Sequence, residues 1–160
     1  MDIKTISQYV FEVSLEGARK TRGTSVPRLT YIYCSGTWVH GEDRGNTTSE
    51  FAVPKNTTRL VSWRTMQEQR VLSASDTGLI NGVVLRPSLL YGRSGSIIAM
   101  LFGAAAQAAE KGTQLEWAGR PGGRWSLFHV DDLVDLFVRV VEAVSARSTL
   151  SGRNNLLTIF

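Results

Sequence analysis

Two short runs, LTYIYC at 29–34 and INGVVL at 80–85, constrain this chain more than any other feature. Both are apolar and β-prone, and neither presents a polar face. Such a run suits a strand covered on both sides, as in a parallel sheet flanked by helices. Each run ends abruptly on residues that cannot continue it: Ser35-Gly36-Thr37 after the first, Arg86-Pro87-Ser88 after the second.

The segments around these runs carry helical signals. Ile6, Tyr9, Val10 and Val13 fall at helical spacing within 4–20, and the cluster Arg19, Lys20, Arg22 closes that helix, where cations suit its C-terminal dipole. Thr58 is a candidate cap for a helix over 59–75. Residues 97–111 form a third helical pattern stopped by Gly112. The last pattern is the clearest: Leu133, Leu136, Phe137, Val140, Val141 and Val144 recur on one face, with Asp131, Asp132 and Asp135 at its start. The polar stretch 41–56 reads as a long surface loop, 88–96 as a loop with turn signals, 115–118 as a short strand and 120–123 as a turn.

Helices alternating with doubly buried strands predict an α/β domain with a parallel sheet. Ligands of such sheets lie at the carboxyl ends of the strands, which singles out Ser35-Gly36-Thr37 and Pro87-Ser88-Leu89. Both segments also fit plain polar turns. The length, 160 residues, allows one domain with a real core, and 42% apolar against 20% charged residues is a globular balance. A single cysteine, Cys34, excludes a disulfide framework, and with two histidines it excludes a zinc finger or ribbon, so no metal site is expected. Cys34 itself reads as a buried, inert strand thiol. No run is long enough to span a membrane, and the amphipathic start is no signal peptide, which reads as a cytoplasmic chain without a membrane partner. The net charge of +4 comes from dispersed residues rather than a basic stripe, so no nucleic-acid partner is expected. Asn46-Thr47-Thr48 and Asn56-Thr57-Thr58 match a glycosylation sequon but read as loop residues.

Four strings in order carry a likeness: YIYCSGTWVHG at 31–41, Trp63-Arg64 followed by Glu68-Gln69-Arg70-Val71-Leu72, VVLRPSLLYG at 83–92 and FHVDDLVDLF at 128–137. Together they resemble the extended and atypical short-chain dehydrogenase/reductases, the NAD(P)-dependent epimerase/dehydratase group. The resemblance implies a Rossmann-type doubly wound parallel sheet. It implies an NAD or NADP cofactor, an activity on a hydroxyl or carbonyl of a small-molecule substrate, and room for a homo-oligomer. It also implies what this sequence lacks. None of the fifteen glycines falls in a GxxGxxG or GxGxxG pattern at a strand-to-helix junction, so the N-terminal half with its phosphate-binding loop is missing. The chain reads as the second half of the fold: a fragment, a short gene model or one part of a split protein. Residues 112–160 correspond to the remnant of the C-terminal substrate region, and 151–160 to the start of a further strand.

The resemblance also places site residues. The family's Ser/Thr falls on Gly36, flanked by Ser35 and Thr37; its Tyr falls on Leu60 and its Lys on Arg64. Leu60 has no proton to give, and the Arg64 guanidinium keeps its charge where a lysine would not. Thr37 and Arg64 remain as catalytic candidates in a degenerate triad. Ser35, Gly36, Arg64, Pro87, Ser88 and Leu89 are the cofactor-binding candidates, and His40 and Tyr91 the substrate candidates, with Tyr91 and His129 as alternative proton donors. Arg64 and Glu68 are also spaced as an i, i+4 ion pair. An arginine before the fourth string grips phosphate in nucleotide-sugar members, and Arg124 stands one residue out of register with it. A non-catalytic binding or sensor relative is the alternative implied by Leu60.

Overall fold

The computed structural model of the chain describes residues 2–22, 26–42, 45, 48–116, 122–146 and 155–159. Strands β1 (Leu29–Cys34) and β2 (Ile80–Pro87) are parallel and in register from Leu29 opposite Ile80 to Cys34 opposite Leu85. β5 (Leu156–Ile159) adds to the other side of β2, again parallel, so β2 is central. All eight residues of β2 are buried, as a strand covered on both faces must be.

The period-2 alternation along β2 sends its side chains to two separate cores. Ile80 and Val84 face the helices α1 (Ile3–Thr21) and α2 (Ser62–Ala74), meeting Phe11, Ala18, Val71 and Ala74. Val83 and Leu85 face α4 (Val130–Ala146), meeting Val140 with Leu136, Phe137 and Val144 packed beside it. Helices on both faces of a parallel sheet make the domain a doubly wound α/β fold of Rossmann type. Gly82 lets α2 approach this closely: a Cβ there would stand 1.9 Å from the Val71 carbonyl oxygen.

Several local expectations are corrected. Helix α1 is where its spacing predicts, but Ile6, Tyr9, Val10 and Val13 lie on its solvent side, between 45 and 62% exposed. The face that packs is Phe11, Leu15 and Ala18, on the nearly opposite side of the helix. The segment 59–75 begins as a 3-10 turn (Arg59–Val61), and the Thr58 side chain makes no capping bond; its carbonyl instead accepts from Val61 N at 2.9 Å. The loop 88–96 contains β3 (Leu89–Tyr91), which pairs in parallel with β4 (Leu127–His129) as a separate two-stranded ribbon. Ser96 caps α3 (Ile97–Glu110) by accepting from Ala99 N at 3.1 Å. Leu115 and Glu116 are not in a strand, and the rest of the strand expected at 115–118 lies outside the described residues, as does part of the turn at 120–123. Arg19 and Lys20 both pair with Glu16 on their own helix. Among the described residues no helix is long and apolar enough to cross a membrane, and no three His, Cys, Asp or Glu side chains cluster as metal ligands.

Candidate functional site

β1 and β2 end side by side, and the chain leaves each in a different direction. Ser35 N donates to the Leu85 carbonyl at 2.7 Å, the last rung of the ladder. Beyond it Gly36 turns the chain into a 3-10 turn (Thr37–His40). Pro87 ends β2 because it has no N–H to continue the ladder. Between the two exits opens a cavity of about 370 Å³. Ser35, Gly36 and Thr37 line it from the first exit, Pro87, Ser88 and Leu89 from the second, and Arg64 from α2. The structure thus brings all seven of these candidate residues to one place. Trp38, Val61, Leu90, Ser96 and Ile97 complete the wall and are not singled out by the sequence.

Polar groups in this cavity are few. Ser35 and Ser88 are 8% and 5% exposed, and their hydroxyls find no hydrogen-bond partner among the described residues. The Arg64 guanidinium donates from Nη1 to the Cys34 carbonyl at 3.3 Å and lies 5.1 Å from the centre of the Trp63 ring. Cys34 is exposed and opens onto the cavity, which corrects its reading as a buried thiol: the last position of β1 has run past the helices that cover the sheet. Crowding of the sulfur still pushes its pKa up, with Arg64 pulling weakly the other way. Exposure decides access here and desolvation decides ionisation, so Cys34 is an accessible thiol that stays protonated.

Leu60 does not sit in the cavity. It is 71% exposed on the 3-10 turn, and its neighbour Val61 lines the wall. A 3-10 turn advances by 120° per residue, so the face seen by Arg64 four residues on is not the face an unbroken α-helix would give. Tyr91 and His129 lie on β3 and β4, their rings edge to face with centres 5.0 Å apart, outside the cavity lining. Gly92 beside them has φ +99°, and a Cβ there would stand 2.2 Å from His129 Nε2. His129 Nδ1 accepts from Asp131 N at 3.2 Å, and Asp131 takes Arg93 Nε at 2.7 Å.

A buried charged group lies behind the cavity. Glu68 of α2 does not pair with Arg64, as the i, i+4 spacing suggests; its carboxylate takes Arg86 of β2 instead. Arg86 Nε donates to both Glu68 oxygens at 3.2 and 3.1 Å, and Nη2 to Oε2 at 2.5 Å. Glu68 and Arg86 are only 2% and 4% exposed. His40, 8% exposed, places Nε2 3.4 Å from Arg86 Nη1. Burial first and the Arg86 charge second push the His40 pKa down, against a smaller upward pull from Glu68. His40 is therefore a neutral member of a buried group rather than part of the cavity wall. The group joins α2, β2 and the 3-10 turn one residue or one turn away from Pro87, Arg64 and Thr37. An ionisable residue on the core face of α2, one turn before Val71, is the sequence signal that could have revealed it.

No curated protein matches the chain. Among solved structures, the UDP-glucuronic acid 4-epimerase from Bacillus cereus, in complex with UDP-glucuronic acid and NAD, is similar in fold: TM-score 0.63 at 17% identity, covering 93% of this chain and 44% of that one. The chain thus spans less than half the length of that enzyme. A sequence model of the NAD dependent epimerase/dehydratase family matches residues 11–150, a span that takes in β1, α2, β2 and both cavity-lining exits. On that match the chain belongs to the NAD dependent epimerase/dehydratase family.

Proposed function

We propose that the cavity is the nicotinamide-facing end of an NAD(P)-dependent, epimerase-like oxidoreductase site acting on a hydroxyl or carbonyl of a small molecule. One observation carries this reading. Two strand exits and the Arg64 cation converge on a single cavity at the carboxyl ends of parallel strands, which is where open α/β sheets hold their ligands.

The residues fit one end of a dinucleotide. Two buried serine hydroxyls want partners, Pro87 supplies backbone without an N–H of its own, and Arg64 offers a planar fork of donors to ribose hydroxyls. No glycine-rich strand-to-helix turn exists in this sequence to receive a pyrophosphate. When bound, NAD(P) supplies a hydride acceptor or donor. The side chains do the rest: Ser35 or Thr37 orients the substrate oxygen, and Arg64 holds hydroxyls while keeping its own protons. Apart from Arg64, the only titratable side chain lining the cavity among the described residues is Cys34, whose raised pKa makes it a poor acid–base partner. The triad is thus degenerate, and loss of a general acid lowers a rate by about 10²–10⁴. The same scarcity of proton donors favours a second reading, a non-catalytic relative that binds cofactor and ligand.

Saturation-transfer NMR on the 160-residue protein tests the binding reading, with nicotinamide mononucleotide and NADH as probes. Saturation is expected at the nicotinamide and adjoining ribose protons of both, little at the adenine protons of NADH, and loss of both signals in Arg64→Ala. Dominant adenine saturation, or no change in Arg64→Ala, would overturn it.

A further inference from the structure

The wall of the cavity says more than that a ligand binds; it limits the ligand's chemistry. Resting on the reading above, we propose that this site takes a small, uncharged, mainly apolar molecule carrying a single carbonyl or hydroxyl oxygen, rather than a sugar or a charged metabolite.

Three observations carry this. First, Trp38, Val61, Leu90 and Ile97 give the cavity a large apolar surface, and among the described residues no carboxylate or lysine lines it. A sugar ring placed there would bury several hydroxyls against carbon, and each unpaired hydroxyl opposes binding. Second, of the four lining hydroxyls, Ser35, Thr37, Ser88 and Ser96, two are buried and unpaired. Ser35 and Ser88 are both nine-tenths buried, both line the cavity, and neither hydroxyl has a partner among the described residues. An unpaired buried hydroxyl is a standing penalty that one ligand oxygen would relieve. Arg64, the one cation among the described lining residues, gives one donor to the Cys34 carbonyl, and in the reading above its remaining donors serve the cofactor's ribose, which leaves no cation for a charged substrate. Third, about 370 Å³ is near the small end of ligand sites, which run from about 300 to 1,000 Å³. It suits one or two fused rings.

The experiment uses the 160-residue protein and three probes: 2-tetralone, an uncharged fused-ring ketone; tetralin, the same skeleton without the oxygen; and UDP-glucuronic acid. Binding is followed by saturation-transfer titration. Tetralone is expected to bind more tightly than tetralin by about fivefold, the worth of one ordinary hydrogen bond, and UDP-glucuronic acid to bind more weakly than either. Ser35→Ala combined with Ser88→Ala should erase the preference for the ketone while leaving tetralin unchanged. Ile97→Asp, at the first position of α3 where a carboxylate suits the helix dipole, should weaken both fused-ring probes by at least about tenfold, because the new charge must be desolvated. Nicotinamide mononucleotide, titrated into the same variants, separates the two readings. If it binds and tetralone does not, the substrate class is wrong and the cofactor reading stands. If tetralone behaves as stated and the mononucleotide fails, the cofactor reading falls and the apolar site stands. UDP-glucuronic acid binding more tightly than tetralone, or a tetralone preference that survives the combined Ser35→Ala and Ser88→Ala change, would overturn the proposal.

Discussion

Glu68→Gln is the sharpest probe of how the core supports the site. The change keeps the shape of the side chain and removes one charge from a pair that is almost wholly buried. At about 3 Å and an effective dielectric constant of about 20, the attraction in such a pair is about 5 kcal/mol. Desolvating the two ions costs several kcal/mol each, so the intact pair adds little net stability. Breaking it is another matter. Arg86, at 4% exposure, would keep its charge with no carboxylate to answer it, and removing one partner of a buried pair costs about 3–5 kcal/mol. For a domain of this size each kcal/mol lowers Tm by about 2–4 °C, so the melting point should fall by about 6–20 °C. Urea unfolding of the wild type, Glu68→Gln and the double variant Glu68→Leu with Arg86→Met is the assay. The double variant should recover most of the loss, since two packed apolar side chains leave no orphaned charge. A single change costing less than about 1 kcal/mol would refute the reasoning, placing it in the range of exposed pairs. So would a double variant no more stable than the single one.

Three other expectations follow from named contacts. Gly82→Ala places a Cβ against the Val71 carbonyl and should cost about 1–3 kcal/mol or more by forcing α2 off the sheet, read by thermal unfolding; an unchanged Tm would mean that α2 does not lie so close. Because the folded-state pKa of His40 is depressed, its stabilisation is present above the unfolded value of about 6.5 and is lost as pH falls from there through the folded value. Melting curves from pH 7.5 to 5 should therefore fall more steeply for the wild type than for His40→Gln, and parallel profiles would contradict this. The exposed stripe Ile6, Tyr9, Val10 and Val13 on α1 is a contiguous apolar surface of the kind that associates; sedimentation should show concentration-dependent self-association that Tyr9→Lys with Val13→Glu abolishes, and a wild type monomeric throughout would argue against it.

The two central strands were legible because burial on both faces leaves a run with no polar side, and few other structures produce one. Helix α4 was legible for a related reason: Leu133, Leu136, Phe137, Val140 and Val144 pack as one stripe set against Asp131, Asp135 and Arg139, although Val141, read as part of it, is 50% exposed beside Val134 and Val138. Helix α1 has two apolar stripes, and spacing alone does not say which meets the sheet; that choice is made by Tyr33, Val71 and Val84, far away in sequence. β3 and β4 have three residues each, too few for alternation to register. The partner of Glu68 was misread for a physical reason as well. The i, i+4 spacing to Arg64 is worth only a few tenths of a kcal/mol on a surface, whereas Arg86, eighteen positions on, competes from inside the core. The candidate residues at the two strand exits needed no long-range knowledge beyond the parallel pairing, because strand ends that are in register bring their exits together. The apolar part of the wall comes from four separate segments, and only the folded chain shows that they meet.

The central claim is that the cavity between the exits of β1 and β2 is the ligand site of this chain. Amide chemical-shift mapping with nicotinamide mononucleotide tests it most directly. The account predicts the largest shifts at Ser35 to Trp38, at Arg64 and at Ser88 to Leu90, with α1 and the β3–β4 tip at Gly92 and Arg93 unmoved. Shifts concentrated on α1 or around His129, with the two strand exits silent, would contradict it.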